Sequence, residues 1–252
     1  MSMSNLLTLH LQRQELRQDS AGRNHWATVI TPAAWPAEGT ALLLCDLWDR
    51  HWSKGAMLRE AVMLPWVNQV VASLRERGAL IIHAPSNTLA FYEGTPARQR
   101  ALAAAPVEPP APLERDDPPL PVDASDGGSD TNQGDEVPHS RVWTRQHPDL
   151  VIDQERDLIS DDGRQVYSAM CQRGIAHLLI LGVHTNMCVL NRTFAIKQMV
   201  RWGVNVALVR DLTDAMYNPA RPPYVSHDEG TRLVIEYIEK FWCPTVLSEE
   251  LV

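Results

Sequence analysis

Four continuous apolar runs punctuate the chain: ALLLCD (41–46), ALIIHAP (79–85), LLILGV (178–183) and NVALVRD (205–211). Runs of this kind, without polar alternation, are expected of strands buried on both faces. Between the first two, Met63, Val67, Val70 and Leu74 recur at helical spacing, which predicts a helix from Met57 to Arg77. Pro65 would kink it or open the first turn of a second helix, and Gly78 would end it. RVWTRQ reads as a short strand and DDGRQVYSAMCQRG as a helix. MCVLNRTFAIKQMVRWG reads as one helix closed by Gly203. SHDEGTRLVIEYIEKFW is a further helix with Ser226 as its N-cap, and CPTVLS a last strand. At the start, NLLTLHLQRQEL alternates apolar and polar residues and HWATVI is β-branched, which predicts a short edge pair within residues 1–35. Strand, helix and strand in series imply right-handed crossovers. The expected fold is a single α/β domain over 1–252: a three-layer α/β/α arrangement around a mostly parallel, doubly wound sheet.

One stretch breaks the pattern. Residues 104–138 are rich in Pro, Asp, Gly and Ser and cannot bury enough apolar surface to offset their ordering. They read as an extended or mobile insertion, because the strand–helix alternation resumes afterwards. The rest holds enough apolar residues (44% of the chain) for a core. The formal net charge is −8 and no basic stripe is present, so no nucleic-acid partner is expected. No apolar run matches the thickness of a bilayer, and no charged segment leads into an apolar one at the N-terminus, so no membrane association or leader is expected. Cys45, Cys171, Cys188 and Cys243 are widely spaced and form no CxxC pair, which argues against a zinc or redox motif. A reduced, cytoplasmic protein is the simplest expectation.

In an open parallel sheet, ligands bind at the carboxyl ends of the strands. Asp46, His83, Arg145, His184 with Cys188, and Asp211 all fall at that end of predicted strands. Singly, an Asp after a strand is most often a cap, a His a structural donor and a Cys a small hydrophobe; their convergence on one edge raises the expectation of a site. Cys188 follows a strand and opens a helix, where unpaired N–H groups and the dipole favour a thiolate and could hold an oxyanion. Packing of that helix on the sheet accounts for Cys188 equally well from position alone.

LLILGVHTNMCVL resembles the nucleophile segment of the isochorismatase-like cysteine hydrolases. ALLLCDLWD is similar to that family's first strand, which ends in its catalytic Asp, and NVALVRDLTDA to the strand after the nucleophile helix. The likeness runs from about residue 40 to 247, apart from the insertion. It implies a parallel sheet wrapped by helices and, in amidase members, an Asp–Lys–Cys triad working through a thioester. By position Asp46 takes the Asp role and Cys188 the nucleophile role, with the N–H groups of His184 and Cys188 as oxyanion donors. A cis peptide at Val183–His184 is implied as well.

Two positions depart from the family. In place of its Lys the chain reads VWTRQHP, where Arg145, or alternatively Gln146, fills the slot. Arg stays protonated and can hold charge but is a poor proton shuttle, so Asp46 would have to move the proton both ways. In place of an Asp-x-His metal motif the chain reads HAPSNT, so neither a metal nor another cofactor is expected. A set drawn from Asp49, His51, His83, His184 and His227 remains a weak alternative. His83, Asn87, Gln146, Trp48, Asp49 and Tyr217 are expected substrate contacts; His184 could tune the thiol or be structural. Hydrolysis of a small amide, carbamoyl or ureido C–N bond is the expected activity, by an enzyme that forms a homo-oligomer. Vinyl ether hydrolysis and a non-catalytic binding protein on the same fold are the alternatives.

Overall fold

The computed structural model describes residues 5–131 and 139–252; the last residues of the 104–138 insertion and the first four of the chain lie outside them. Eight strands form one sheet in the order β2-β1-β8-β7-β6-β3-β4-β5. They are β1 (Leu6–Gln18), β2 (Asn24–Pro36), β3 (Thr40–Cys45), β4 (Leu80–Ala84), β5 (Leu158–Ile159), β6 (His177–Val183), β7 (Asn205–Asp214) and β8 (Thr245–Val246). The strands from β3 to β8 are parallel to their neighbours, whereas β1 is antiparallel to both β2 and β8. The edge pair is a long hairpin of two 13-residue strands. Its second strand forms the outer margin and carries Pro32 and Pro36.

Alternate residues of each central strand feed separate cores. Ala41, Leu43 and Cys45 of β3, with Leu178 and Ile180 of β6, pack against α3 (Gly163–Gln172), α5 (Ile196–Arg201) and α6 (His227–Phe241). Leu42, Leu44, Leu179 and Leu181 point the other way, onto α1 (Lys54–Glu76) and the hairpin residues Leu7 and Leu9. Each buried Leu contributes roughly 2 kcal/mol relative to exposure, so both faces must be covered, and the three layers follow. Val67, Val70 and Leu74 lie on the buried face of α1 as the spacing predicts, and Pro65 sits inside a single helix. Gly78, at φ +88°, follows the helix end.

Three expectations are corrected. RVWTRQ is not a strand: only Gln146 makes an isolated bridge, to Trp48, because Trp143 leaves the sheet to stack on Trp48 at 4.2 Å. The predicted helix from Met187 to Gly203 is broken into α4 (Cys188–Asn191) and α5, with Arg192 extended between them. β7 runs past Asp211 to Asp214 through a register shift against β6. Asp211 therefore turns out to accept from Ser248 N at 2.9 Å, away from the strand ends.

The described part of the insertion is extended and tied down, beginning after α2 (Pro96–Ala103). Asp117 pairs with Lys197 at 2.7 Å, Asp123 with Arg221 at 2.7 Å and Asp130 with Arg59 at 2.8 Å. Ion pairs and backbone bonds thus hold a segment that has little apolar surface of its own. Among the described residues no helix is long and apolar enough to cross a membrane.

Candidate active site

The sheet grows outward in both directions from the β3–β6 pair, the switch point where such folds open a crevice. Asp46 follows β3 there and Cys188 follows β6. Gly182 lets the two strands close together: a Cβ on it would lie 2.1 Å from the Cys45 carbonyl oxygen, and its φ is +117°. The turn from His184 to Met187 is clamped to the end of β7. Thr185 N donates to Asp214 O at 2.9 Å. Asn186 exchanges two hydrogen bonds with the Met216 backbone, each 2.9 Å. The Val183–His184 peptide is cis, as the resemblance implies.

Asp46 is fully buried, at φ +51°. Its Oδ1 accepts from Ser86 N at 2.7 Å and its Oδ2 from Arg192 Nε at 3.0 Å. Cys188 lies close enough to the same carboxylate for the Asp46 charge to act on its thiol. Burial raises the Asp46 carboxyl above its ordinary range, against the pull of Arg192 and these hydrogen bonds. Burial, with the Asp46 charge next, pushes the Cys188 thiol up to about 12. This corrects the expectation of a ready thiolate: α4 is only four residues long, and its N-terminus does not outweigh desolvation beside a carboxylate. At rest Cys188 is a thiol beside the Asp46 carboxyl. Arg192 stays protonated, because Asp46 and the sulfur outweigh its own desolvation.

Arg145 is not the cation at this site. Its guanidinium lies 5.3 Å from the Phe91 ring centre, and its backbone pairs with Asp49. Gln146 does not fill the slot either: it is buried, with Oε1 2.9 Å from His83 Nδ1 and Nε2 unpartnered among the described residues. Arg192 is the cation that meets the Asp46 carboxylate, and the sequence carries no signal for it, because its surroundings read as one continuous helix. Thr193, whose hydroxyl accepts from Gly163 N at 3.0 Å, anchors the break that turns the arginine back to Asp46.

The other expected contacts are mostly structural. Asp49 holds Thr144 N at 2.8 Å and the Thr144 hydroxyl at 2.5 Å. His83 is sealed between Gln146 and Asp157, whose carboxyl His83 and Arg75 hold down at about 2 despite burial. Asn87 is exposed and bonds Asp161 through its backbone. Tyr217 is buried and donates to Arg221 O. Trp48 donates to Ser86 O and stacks on Trp143. His184 meets His51 edge-on at 4.9 Å; burial lowers them to about 3 and about 4, so both rings are neutral at pH 7. Among the described residues no group of three or more His, Cys, Asp or Glu is arranged to hold a metal.

A cavity of about 460 Å³ opens onto the sulfur, lined by Asn186, Met187, Cys188, Asn191 and Arg192. None of the six expected substrate contacts lines it. The Thr185, Met187 and Val189 N–H groups are taken by Asp214 and His184 carbonyls.

A cysteine hydrolase from Pseudomonas syringae pv. phaseolicola 1448A superposes over 86% of this chain and 93% of its own, with a TM-score of 0.52 and 14% identity. The chain shares its fold with a cysteine hydrolase. An isochorismatase family protein from Burkholderia thailandensis is 15% identical over 84% of this chain and 93% of its own, with a TM-score of 0.46. No family model and no curated protein matches the chain.

Proposed function

We propose that the protein is an isochorismatase-like cysteine hydrolase that cleaves a C–N bond of a small amide, carbamoyl or ureido compound through a thioester on Cys188. The observation that carries this reading is the meeting of three groups: the Arg192 guanidinium bonds the buried Asp46 carboxylate, and Cys188 lies within reach of the same charge beside an open cavity.

With the thiol protonated at rest, deprotonation accompanies attack. Asp46 takes the thiol proton as Sγ bonds to the carbonyl carbon, and the carbonyl oxygen becomes an oxyanion. The Cys188 N–H, at the first position of α4 and without an acceptor within that helix, is the donor placed to hold it. Collapse breaks the C–N bond, and the amine leaves with the proton from Asp46. Asp46 then takes a proton from water, whose oxygen attacks the thioester; the acid departs and the proton returns to sulfur. Arg192 keeps the carboxylate oriented throughout, and its fixed charge leaves every proton transfer to Asp46.

The test is a panel of amides, carbamoyl and ureido compounds assayed by ammonia release, with intact-mass detection of an acyl adduct. Cys188→Ala should reduce turnover by about 10⁴-fold or more with an unchanged thermal melt. Turnover that survives Cys188→Ala but not Asp46→Ala would move the chemistry to the carboxylate alone, as in vinyl ether hydrolysis.

A further inference from the structure

A helix at a protein surface normally turns a charged face to water. On α1 that face is missing. Val67, Val70 and Leu74 face the core, yet the opposite side carries Leu58, Ala61, Val62, Pro65, Gln69 and Ala72, all exposed. Leu58 is 60% exposed and Val62 80%. At about 100° per residue, these six fall within one stripe about 100° wide that runs along the helix. The charges inside the helix avoid it: Arg59 is tied to Asp130 and Asp214, Arg75 is tied to Asp157, and Glu60 is buried. Charge returns to the stripe only at its ends, as Lys54 and Glu76. Both are exposed, and neither has an ion-pair partner among the described residues. An uncharged stripe of this kind on a surface helix marks a contact surface.

We infer that this face of α1 is where two copies of the chain meet, their α1 helices antiparallel about a twofold axis at Pro65. The inference is independent of the proposed reaction. Charge identifies the occupant. Lys54 begins the helix and Glu76 ends it, the ends at which its own dipole disfavours them. Neither charge serves the helix itself, but each suits a reversed copy of it. Pro65 stands midway between the two, so the axis sets each Lys54 against the partner's Glu76. Leu58 then meets the partner's Ala72, a large side chain against a small one, and Ala61 meets the partner's Gln69. A parallel pairing would oppose like charges at both ends. A 23-residue helix is about 35 Å long, and one helix pair lies at the lower end of specific interfaces. A dimer that dissociates in the micromolar range is therefore expected.

Sedimentation velocity on the full chain, from about 1 to about 100 µM, provides the test. The unaltered protein should pass from monomer to dimer across that range. Val62→Asp, which buries a charge in the contact, should weaken the dimer by about tenfold or more. Lys54→Glu opposes carboxylates at both ends and should weaken it by about tenfold, as should Glu76→Lys. Both reversals in one chain restore opposite charges and should return dissociation to within about threefold of the unaltered value. The reversals suit the helix dipole and lie on exposed positions, so thermal melts should show every variant folded. A chain that stays monomeric throughout overturns the inference, as does a dimer indifferent to Val62→Asp. Failure of the doubly reversed chain to recover overturns the antiparallel self-pairing.

Discussion

Arg192 donates from Nε to Asp46 Oδ2 over 3.0 Å, joining the first turn after the nucleophile to the first buried strand across 146 positions of sequence. Removing one partner of a buried pair leaves the other uncompensated. Arg192→Gln should therefore raise the Asp46 carboxyl further and shift the acidic limb of any pH–rate profile upward, with turnover falling by about 10²-fold or more. Arg145→Gln, which touches Phe91 rather than Asp46, should change turnover by less than about threefold. Steady-state rates of the two variants across pH check the contrast.

Glu60 is 3% exposed on α1, and its Oε1 has no partner among the described residues. Burial, then the charges of Asp46 and Asp49, raises its carboxyl well above the usual range. The folded state therefore binds this proton more tightly than the unfolded chain does. The group costs nothing below the unfolded value. Stability falls as pH rises above it, by up to about 1.4 kcal/mol per pH unit. Glu60→Gln should flatten that slope; denaturant titrations at several pH values read it. A variant with the same slope as the unaltered protein would mean that Glu60 does not titrate there.

The His227 imidazole bridges Asp214, at 2.8 Å, and the Tyr217 carbonyl, while Arg59 joins Asp214 to Asp130 of the insertion. Burial lowers the His227 value, but the Asp214 hydrogen bond outweighs it, so the net shift is upward. Its contribution is full below the ordinary His value of about 6.5 and is lost as pH rises through the folded value. The Asp214 carboxyl is depressed, since His227 and Arg59 outweigh its burial, so its contribution is lost as pH falls through its own folded value. Denaturation of His227→Gln should show its largest deficit, about 1–2 kcal/mol, in mild acid between these limits. A deficit that instead grows toward alkaline pH would contradict this sign.

Gly182 stands where β6 nearly touches the Cys45 carbonyl. Gly182→Ala forces the strands apart at the point that brings sulfur and carboxylate together. We expect a loss of about 3 kcal/mol or more and slower alkylation of Cys188 in whatever folds. A variant that melts like the parent would show that β3 and β6 can part there without cost.

Much of this architecture is written in local pattern. The runs 41–46 and 178–183 have no polar alternation, so they read as interior strands, and whatever follows them must sit at the crevice. That logic reaches Asp46 and Cys188. It fails for Arg192, because NRTFAI contains neither Gly nor Pro and the helix break comes from tertiary contacts between Thr193 and Gly163. It misplaces Arg145, because the β-branched and aromatic residues of RVWT suit a strand equally well as a segment whose Trp143 stacks on Trp48. It also overstates the substrate contacts. Asp49 and His83 are polar residues near the crevice, but their partners, Thr144 and Asp157, lie about 75 to 95 positions away and carry no pattern of their own.

The hairpin's outer strand bears on a different matter. A proline fits a paired strand only where its nitrogen faces away from the neighbour. Pro32 and Pro36 therefore strip two amide donors from the free margin of the sheet. A strand of 13 residues at the border of a sheet would otherwise be a template for stray chains. Here any newcomer would meet an interrupted ladder, so concentrated solutions should resist fibre-like stacking along that border.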